Sequence, residues 1–349
     1  MEPKIALQHA KIAQTDAKAG KFSQAKLRYE WLLLNDTANS KRSTFYQNAI
    51  RTLTSKKPLS FGLSAALLAS SNAGRSSSEA TFHTDLGDFT IGDPDASQSG
   101  IGLRINATGT YKYAYAPGRD LSATAKLGTS LHESDSLRSS DQTLTLAHRW
   151  LVPGARYTLS VAGKHTSYPT LPGRSAPDNN TLSASLNAYH ALPKNRALSY
   201  GISVRDQTYT ERSYLDGVTT SLNAAYSFPI SKRGNVTLMG GASTANLQAG
   251  HFSYSGFDLG LRYSHKSNSG FDWSLGYHAS QRDYDDIFTA LSYARSDKSN
   301  TISIGLSHRD IRIKEMTPSL NCFAKRQSSN VALYTYDTFD CSVSLKHAF

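Results

Sequence analysis

The chain has 349 residues, of which 39% are hydrophobic and 10% aromatic, enough for two ordinary domains or one large β domain with an appendage. A mean hydropathy of −0.43, with no apolar run approaching about 18 residues, excludes transmembrane helices. It does not exclude a β-barrel, whose wall needs only alternate apolar residues over about 9–11 positions per strand. The net charge of +11 would suit nucleic acid, but the basic residues are scattered singly through strands and turns. That spacing fits contact with lipopolysaccharide phosphates or an anion-attracting lumen, and no nucleic-acid partner is expected.

The first residues, MEPKIALQHAKIAQ, lack the apolar run of a secretory leader. An outer-membrane protein requires one, so the expectation is a leader already removed or a start that lies elsewhere. Residues 1–56 then form the helical portion. Ala6, Ala10, Ile12 and Ala13 recur at helical spacing, AGKF (19–22) interrupts them, and a second helix carries Ala25, Tyr29, Leu32 and Leu33. Two helices around a glycine look like one tetratricopeptide-type unit. A third helical piece over 40–55 leads to the KKP break at 56–58. One unit is too short for a free solenoid, so it is expected to rest on the mouth of the β portion.

From Leu59 the period changes to two, and residues 57–349 read as the barrel. In 101–115, Ile101, Leu103, Ile105, Tyr111, Tyr113 and Tyr115 alternate with Arg104, Asn106, Thr108 and Lys112. In 257–264, Phe257, Leu259, Leu261 and Tyr263 oppose Asp258, Arg262 and Ser264. Side chains of a strand alternate between faces, and charges recur in mid-strand on the polar face. Such charges suit a wet interior with the apolar face toward lipid. Tight turns at 116–120, 152–156, 193–197, 230–234, 266–270 and 308–313 alternate with longer Ser/Asp-rich links, the longest being 72–99. This is the short-turn, long-loop alternation of an outer-membrane barrel. The count gives a mainly β fold, a transmembrane antiparallel barrel of about fourteen strands preceded by the short helical segment. The even number leaves both ends in the periplasm.

The inward set comprises Arg104, Lys126, Arg149, Lys164, Arg205, Arg262 and Lys346, with Asp258, Asp272 and Asp340. These charges either concentrate an anionic passenger or pair with one another across strands. The rim motif Arg282, Asp283, Tyr284, Asp285, Asp286 and Phe288, with Arg295 and Asp297, falls between the eleventh and twelfth strands. It reads as an extracellular loop, since a hydrolytic site needs a base and its partner to converge and no second Asp/His cluster accompanies it. No catalysis, cofactor or metal is expected.

The opening strand FGLSAALLASSN (61–72), the SGIGLRINATGTYKY entry to the second strand, RDYDD-IF with Arg295 and Asp297, and the terminal hairpin 317–349 together resemble the surface lipoprotein assembly modifiers of Gram-negative bacteria. The likeness covers residues 58–349. It implies a fourteen-stranded barrel in the bacterial outer membrane, working as a monomer, that helps deliver lipoproteins or related secreted proteins to the surface. It also implies periplasmic chaperones, the barrel-assembly machinery and outer-membrane lipid as partners, and a periplasmic tetratricopeptide domain. That domain is shortened here to about one repeat. Phe349 takes the role of the terminal barrel-assembly signal. A passive porin and a loop-based adhesin or receptor remain as alternatives.

Cys322 and Cys341 sit on the apolar faces of the last two strands, where antiparallel register could set them opposite each other. Opposed Cβ atoms lie about 4.5–5.5 Å apart, somewhat wider than the usual disulfide spacing of about 3.5–4.5 Å. A disulfide and two lipid-facing thiols are both consistent with that placement.

Overall fold

The computed structural model describes residues 3–36, 40–90, 99–169, 178–313 and 316–348. Three helices come first: α1 (Pro3–Lys18), α2 (Phe22–Asn35) and α3 (Ser40–Lys56). The strands are β1 (Leu59–Ser70), β2 (Thr81–Thr84), β3 (Gly87–Thr90), β4 (Gly100–Ala116), β5 (Arg119–His132), β6 (Ser139–Val152), β7 (Ala155–Ser167), β8 (Asn179–Leu192), β9 (Arg196–Tyr209), β10 (Gly217–Pro229), β11 (Gly234–Leu247), β12 (Tyr254–Lys266), β13 (Phe271–Ile287), β14 (Ala294–His308), β15 (Thr317–Ser329) and β16 (Tyr336–Ala348).

β1 and β4 through β16 form one closed antiparallel barrel of fourteen strands, with β1 hydrogen-bonded to both β4 and β16. Closure removes the sheet edges that lipid could not satisfy. At the seam, β1 pairs with β16 from Gly62↔Ala348 to Ser70↔Asp340. Among the described residues no helix is long and apolar enough to cross a membrane; the strands do so. Their polarity is inverted relative to a soluble barrel. Leu103, Leu259 and Val343 are 37%, 63% and 47% exposed on the outside, while alternation turns their neighbours Arg104, Asp258 and Ser342 to the lumen. Near the tight-turn end the outer wall carries a girdle of rings. His148 lies 4.0 Å from Trp150 and its Nε2 is 2.7 Å from Tyr115 Oη. His190 stacks on Tyr200, and Trp273 packs against Tyr263 and His265.

Two details shape the start of each strand in the last hairpin. Ile313 and Met316 bond to each other's backbone in an isolated bridge, which delays β15 to Thr317. Ala332–Tyr334 wind into a 3-10 turn, which delays β16 to Tyr336. The long link after β1 also holds an unexpected hairpin, β2–β3, with Phe82 opposite Phe89.

The helices bury a small core of Ala6, Ala13, Ala25, Tyr29, Leu32, Leu33, Tyr46, Ile50 and Leu53. A tenth member, Leu151, comes from the tight-turn end of β6 and is 1% exposed. The helical unit therefore completes its core with a barrel residue. Gln47 Nε2 donates to Leu151 O at 2.9 Å, and Gly154 N–H donates to Leu33 O at 3.2 Å. Gly118, in the β4–β5 turn, lies under this contact at φ +69; a Cβ there would sit 2.4 Å from Leu151 O and 2.7 Å from Gln47 Nε2. Only glycine satisfies both the left-handed backbone and the close approach.

Candidate functional site

The site is the lumen, which has a different structure at each of its two mouths. At the tight-turn end, α2 presents Glu30 to the barrel wall. Arg149 of β6 donates from Nη1 to Glu30 Oε1 at 2.8 Å and from Nε to Asp120 Oδ2 of β5 at 2.9 Å. All three side chains are no more than 15% exposed. One guanidinium between two carboxylates is a buried network whose disruption strands charge in a dry place. Lys26, one turn before Glu30, points into the same region near Lys112, and burial, reinforced by Lys112, lowers its pKa while Glu30 pulls it back up.

At the long-loop end the first loop folds back over the last two hairpins. Ser77 Oγ donates to Ala332 O at 2.6 Å, Ser78 N–H to Thr335 O at 2.8 Å, and Asp85 N–H to Ala290 O at 3.1 Å. Phe288, Leu291 and Val331 form a compact core against which Phe82 and Tyr334 pack. Arg75 of this loop reaches back to the wall, ion-pairing with Asp340 and covering the Phe323 ring at 5.7 Å. The seam is continued beyond its last ladder pair by Phe339 N–H donating to Ser71 Oγ at 2.8 Å.

The rim motif is assigned to a loop by the sequence, yet its first part continues β13. Arg282 pairs with Asp297 and Asp283 with Ser296 before a bulge that ends at Ile287↔Ala294. Within it, Arg295 is 7% exposed and chelates Asp297, Nε to Oδ1 at 2.9 Å. The Arg295 guanidinium lies 4.4 Å from the Tyr284 ring centroid and 3.1 Å from that of Tyr334. Burial raises the pKa of Tyr334. Arg282 covers the Tyr254 ring at 4.8 Å, Asp283 accepts from Ser296 Oγ at 2.6 Å, Asp285 N–H donates to Ser253 O at 3.0 Å, and Asp286 lies over Gly250. These partners are internal, so the motif's chemistry is that of a brace. Among the described residues no group of His, Cys, Asp and Glu could hold a metal.

Arg295→Ala leaves Asp297 buried without its cation, at a cost of about 3–5 kcal/mol. The expected result is faster amide exchange at 288–293 and 331–335, measured by mass spectrometry, while exchange in β5–β9 stays unchanged.

The lumen charges of the sequence reading divide into a paired and an unpaired subset. Arg104 Nη2 is 2.8 Å from Asp141 Oδ1, Asp272 is 3.3 Å from Arg309, and Asp340 meets Arg75. Among the described residues Lys126, Lys164, Arg205, Arg262, Lys346 and Asp258 take part in no ion pair. Three of these cations share one wall. Lys126 and Lys164 flank Thr143 in register, placing them about 10 Å apart, and Arg205 pairs with Ser183 on the next strands. Sequence reasoning missed Glu30, Asp120 and Asp141. The first sits on a helix that reads as solvated, and the other two sit at strand ends. Phe349 lies outside the described residues. Cys322 and Cys341 are register partners on the lipid-facing wall and are joined as a disulfide.

Against this geometry, the sequence profile described as surface lipoprotein assembly modifier matches residues 164–349, from the last residues of β7 before its long-loop end to the C-terminus. The chain belongs to that family. It is an outer-membrane barrel involved in surface lipoprotein assembly. No curated protein matches the sequence. Among solved structures, the Vibrio cholerae outer membrane protein OmpT lacking loop L8 is similar at a TM-score of 0.48 and 5% identity, covering 83% of this chain and 99% of that one. Pseudomonas aeruginosa OpdQ is similar at 0.42 and 11%, covering 83% and 98%. CdiB from Acinetobacter baumannii is similar at 0.42 and 10%, covering 83% and 60%. At these scores the likenesses carry no functional weight.

Proposed function

We propose that the barrel is a gated conduit that delivers a lipoprotein passenger to the cell surface, acting by conformational change without catalysis. The helices and tight turns face the periplasm, and the long loops face the outside. The observation that carries this reading is the Glu30–Arg149–Asp120 network, with Glu30 and Asp120 Oδ2 at 2.8 and 2.9 Å from the guanidinium. It anchors the helical unit on the barrel wall at one mouth, and the first loop is braced on the last two hairpins at the other. A passive porin needs neither feature. In the resting state solutes are excluded; a passenger segment engaging α2 or the unpaired cations of the β5–β9 wall would displace Glu30 and open the path. Lys126, Lys164 and Arg205 suit acidic or hydroxyl-rich segments, since uncompensated cations raise the local concentration of anions.

The test is co-expression of this chain with candidate lipoproteins in a strain without it, scoring protease-accessible lipoprotein on intact cells. At least one candidate is expected to reach the surface only when the chain is present. If every candidate has the same exposure with and without the chain, delivery is not its function.

A further inference from the structure

On the outside of the barrel, toward the tight turns, an apolar groove of ≈ 690 Å³ runs over β4 to β7, within the size range of small-molecule sites. Its floor is low because Ala123 stands in register between Tyr111 and Leu146. Leu121, Leu159 and Val161 complete its walls, and alternation turns all of these side chains to lipid. The lining contains no carboxylate, and His148 is its one basic residue. At the end nearer the turns the chemistry changes within one step. There His148 Nε2 lies 2.7 Å from Tyr115 Oη, and its ring lies 4.0 Å from that of Trp150. Arg119 is on the same face of β5, two residues and about 7 Å beyond Leu121, in register with Trp150. It is exposed and takes part in no ion pair among the described residues. The carboxylate next to it in the chain, Asp120, is turned to the lumen and held by Arg149.

We infer that this groove seats one acyl chain of an anionic glycerophospholipid, with the lipid phosphate on Arg119 and the glycerol esters beside His148 and Tyr115. Charge complementarity selects the occupant. A guanidinium at the membrane boundary with no protein counter-ion draws an anion, and basic groups so placed recognise lipid headgroups. Its planar fork fits two phosphate oxygens at once. A zwitterionic lipid brings its own ammonium, for which the lining offers no carboxylate. The order of the chemistry along the wall, apolar groove, then imidazole and phenol, then guanidinium, is the order of chain, ester and phosphate in such a lipid. Trp150 and Tyr115 set the depth, because amphipathic rings sit at headgroup level. In the orientation proposed above, the tight turns lie in the phospholipid leaflet and lipopolysaccharide occupies the other. The site requires a barrel in a bilayer and depends on nothing about the passenger.

The test is native mass spectrometry of the purified full chain released from detergent, offered phosphatidylglycerol or phosphatidylcholine with identical acyl chains. One phosphatidylglycerol is expected to stay bound at concentrations where phosphatidylcholine does not. Arg119→Ala should lower that retention about fivefold, the factor for about 1 kcal/mol per basic residue at an anionic membrane surface. Arg119→Lys keeps the charge without the fork and should fall between the two. Ala123→Phe fills the groove and should release the lipid with Arg119 still in place. Folding of each variant is checked by heat-modifiable gel migration. Should Arg119→Ala not fold, the two-lipid comparison on the unaltered chain, with Ala123→Phe, decides. Equal retention of the two lipids, or retention unchanged by Arg119→Ala or by Ala123→Phe, overturns the assignment. So does displacement of phosphatidylglycerol by an equal concentration of lipopolysaccharide or of inorganic phosphate, since the first would move the site to the other leaflet and the second would leave the groove without a role.

Discussion

Glu30→Lys is expected to raise the conductance of the barrel in planar bilayers well above that of the wild type. The substitution removes one of the two carboxylates held by Arg149 and adds a cation beside Arg149, Lys26 and Lys112. Removing one partner from a buried charge network costs about 3–5 kcal/mol, equivalent to about a 10²–10³-fold shift between docked and undocked helices. Glu30→Gln keeps an acceptor at the same distance from Arg149 and should open the pore far less. Removal of residues 1–56 should reproduce the Glu30→Lys conductance, because both take the same unit out of the mouth. Lys26 adds a pH dependence. Its pKa is lowered in the docked state, so the undocked state binds more protons in the window below the ordinary lysine value. Docking therefore tightens as pH rises through that window, and wild-type conductance should fall on going from neutral to alkaline solution. If Glu30→Lys conducts no better than wild type, the helices are not the gate.

The barrel was legible because period-two alternation recurs along the spanning strands, and closure is the one way such strands can cross lipid. The Leu103/Arg104 and Leu259/Asp258 pairs set apolar and charged side chains on opposite faces, and strand number and length, not the alternation, favour the wet interior. The docking of the helices on the barrel wall was not legible. Glu30 stands in RYEWLLL, where a helical glutamate normally reads as solvated, and only the barrel wall shows it buried. A faint signal did exist in RWLV at 149–152. There the apolar/polar pattern breaks down, because Trp150 faces lipid while the inward Leu151 is apolar and joins the helical core. The β2–β3 hairpin escaped notice for a related reason: TFHT and GDFT are too short and polar to display a face, and they are ordered by Phe82 packing on Phe288 at 6.3 Å. The rim motif was recognisable as a sequence feature, but its role as a brace depends on Tyr334, which lies on the far side of β14 and β15 in the chain.

Cys322→Ala with Cys341→Ala is expected to lower the stability of the barrel by about 3 kcal/mol, the chain-entropy cost of releasing a loop of this size. The crosslink closes a hairpin with a sequence separation of 19. Both sulfurs face lipid, so alanine strands no polar group and the entropic effect should dominate. In urea titrations of the detergent-solubilised chain, the midpoint should fall while the slope stays constant, since the same surface is exposed on unfolding. A reductant should shift the wild type to the position of the variant and leave the variant where it is. The crosslink joins β15 to β16, whereas β16 meets β1 through ladder hydrogen bonds from Gly62 to Ser70. Losing it should therefore weaken the final hairpin without touching the Glu30 latch, and bilayer conductance of the folded variant should match wild type. A variant that gains conductance would mean that the last hairpin and the helical plug move together, and the independence of gate and seam would have to be abandoned.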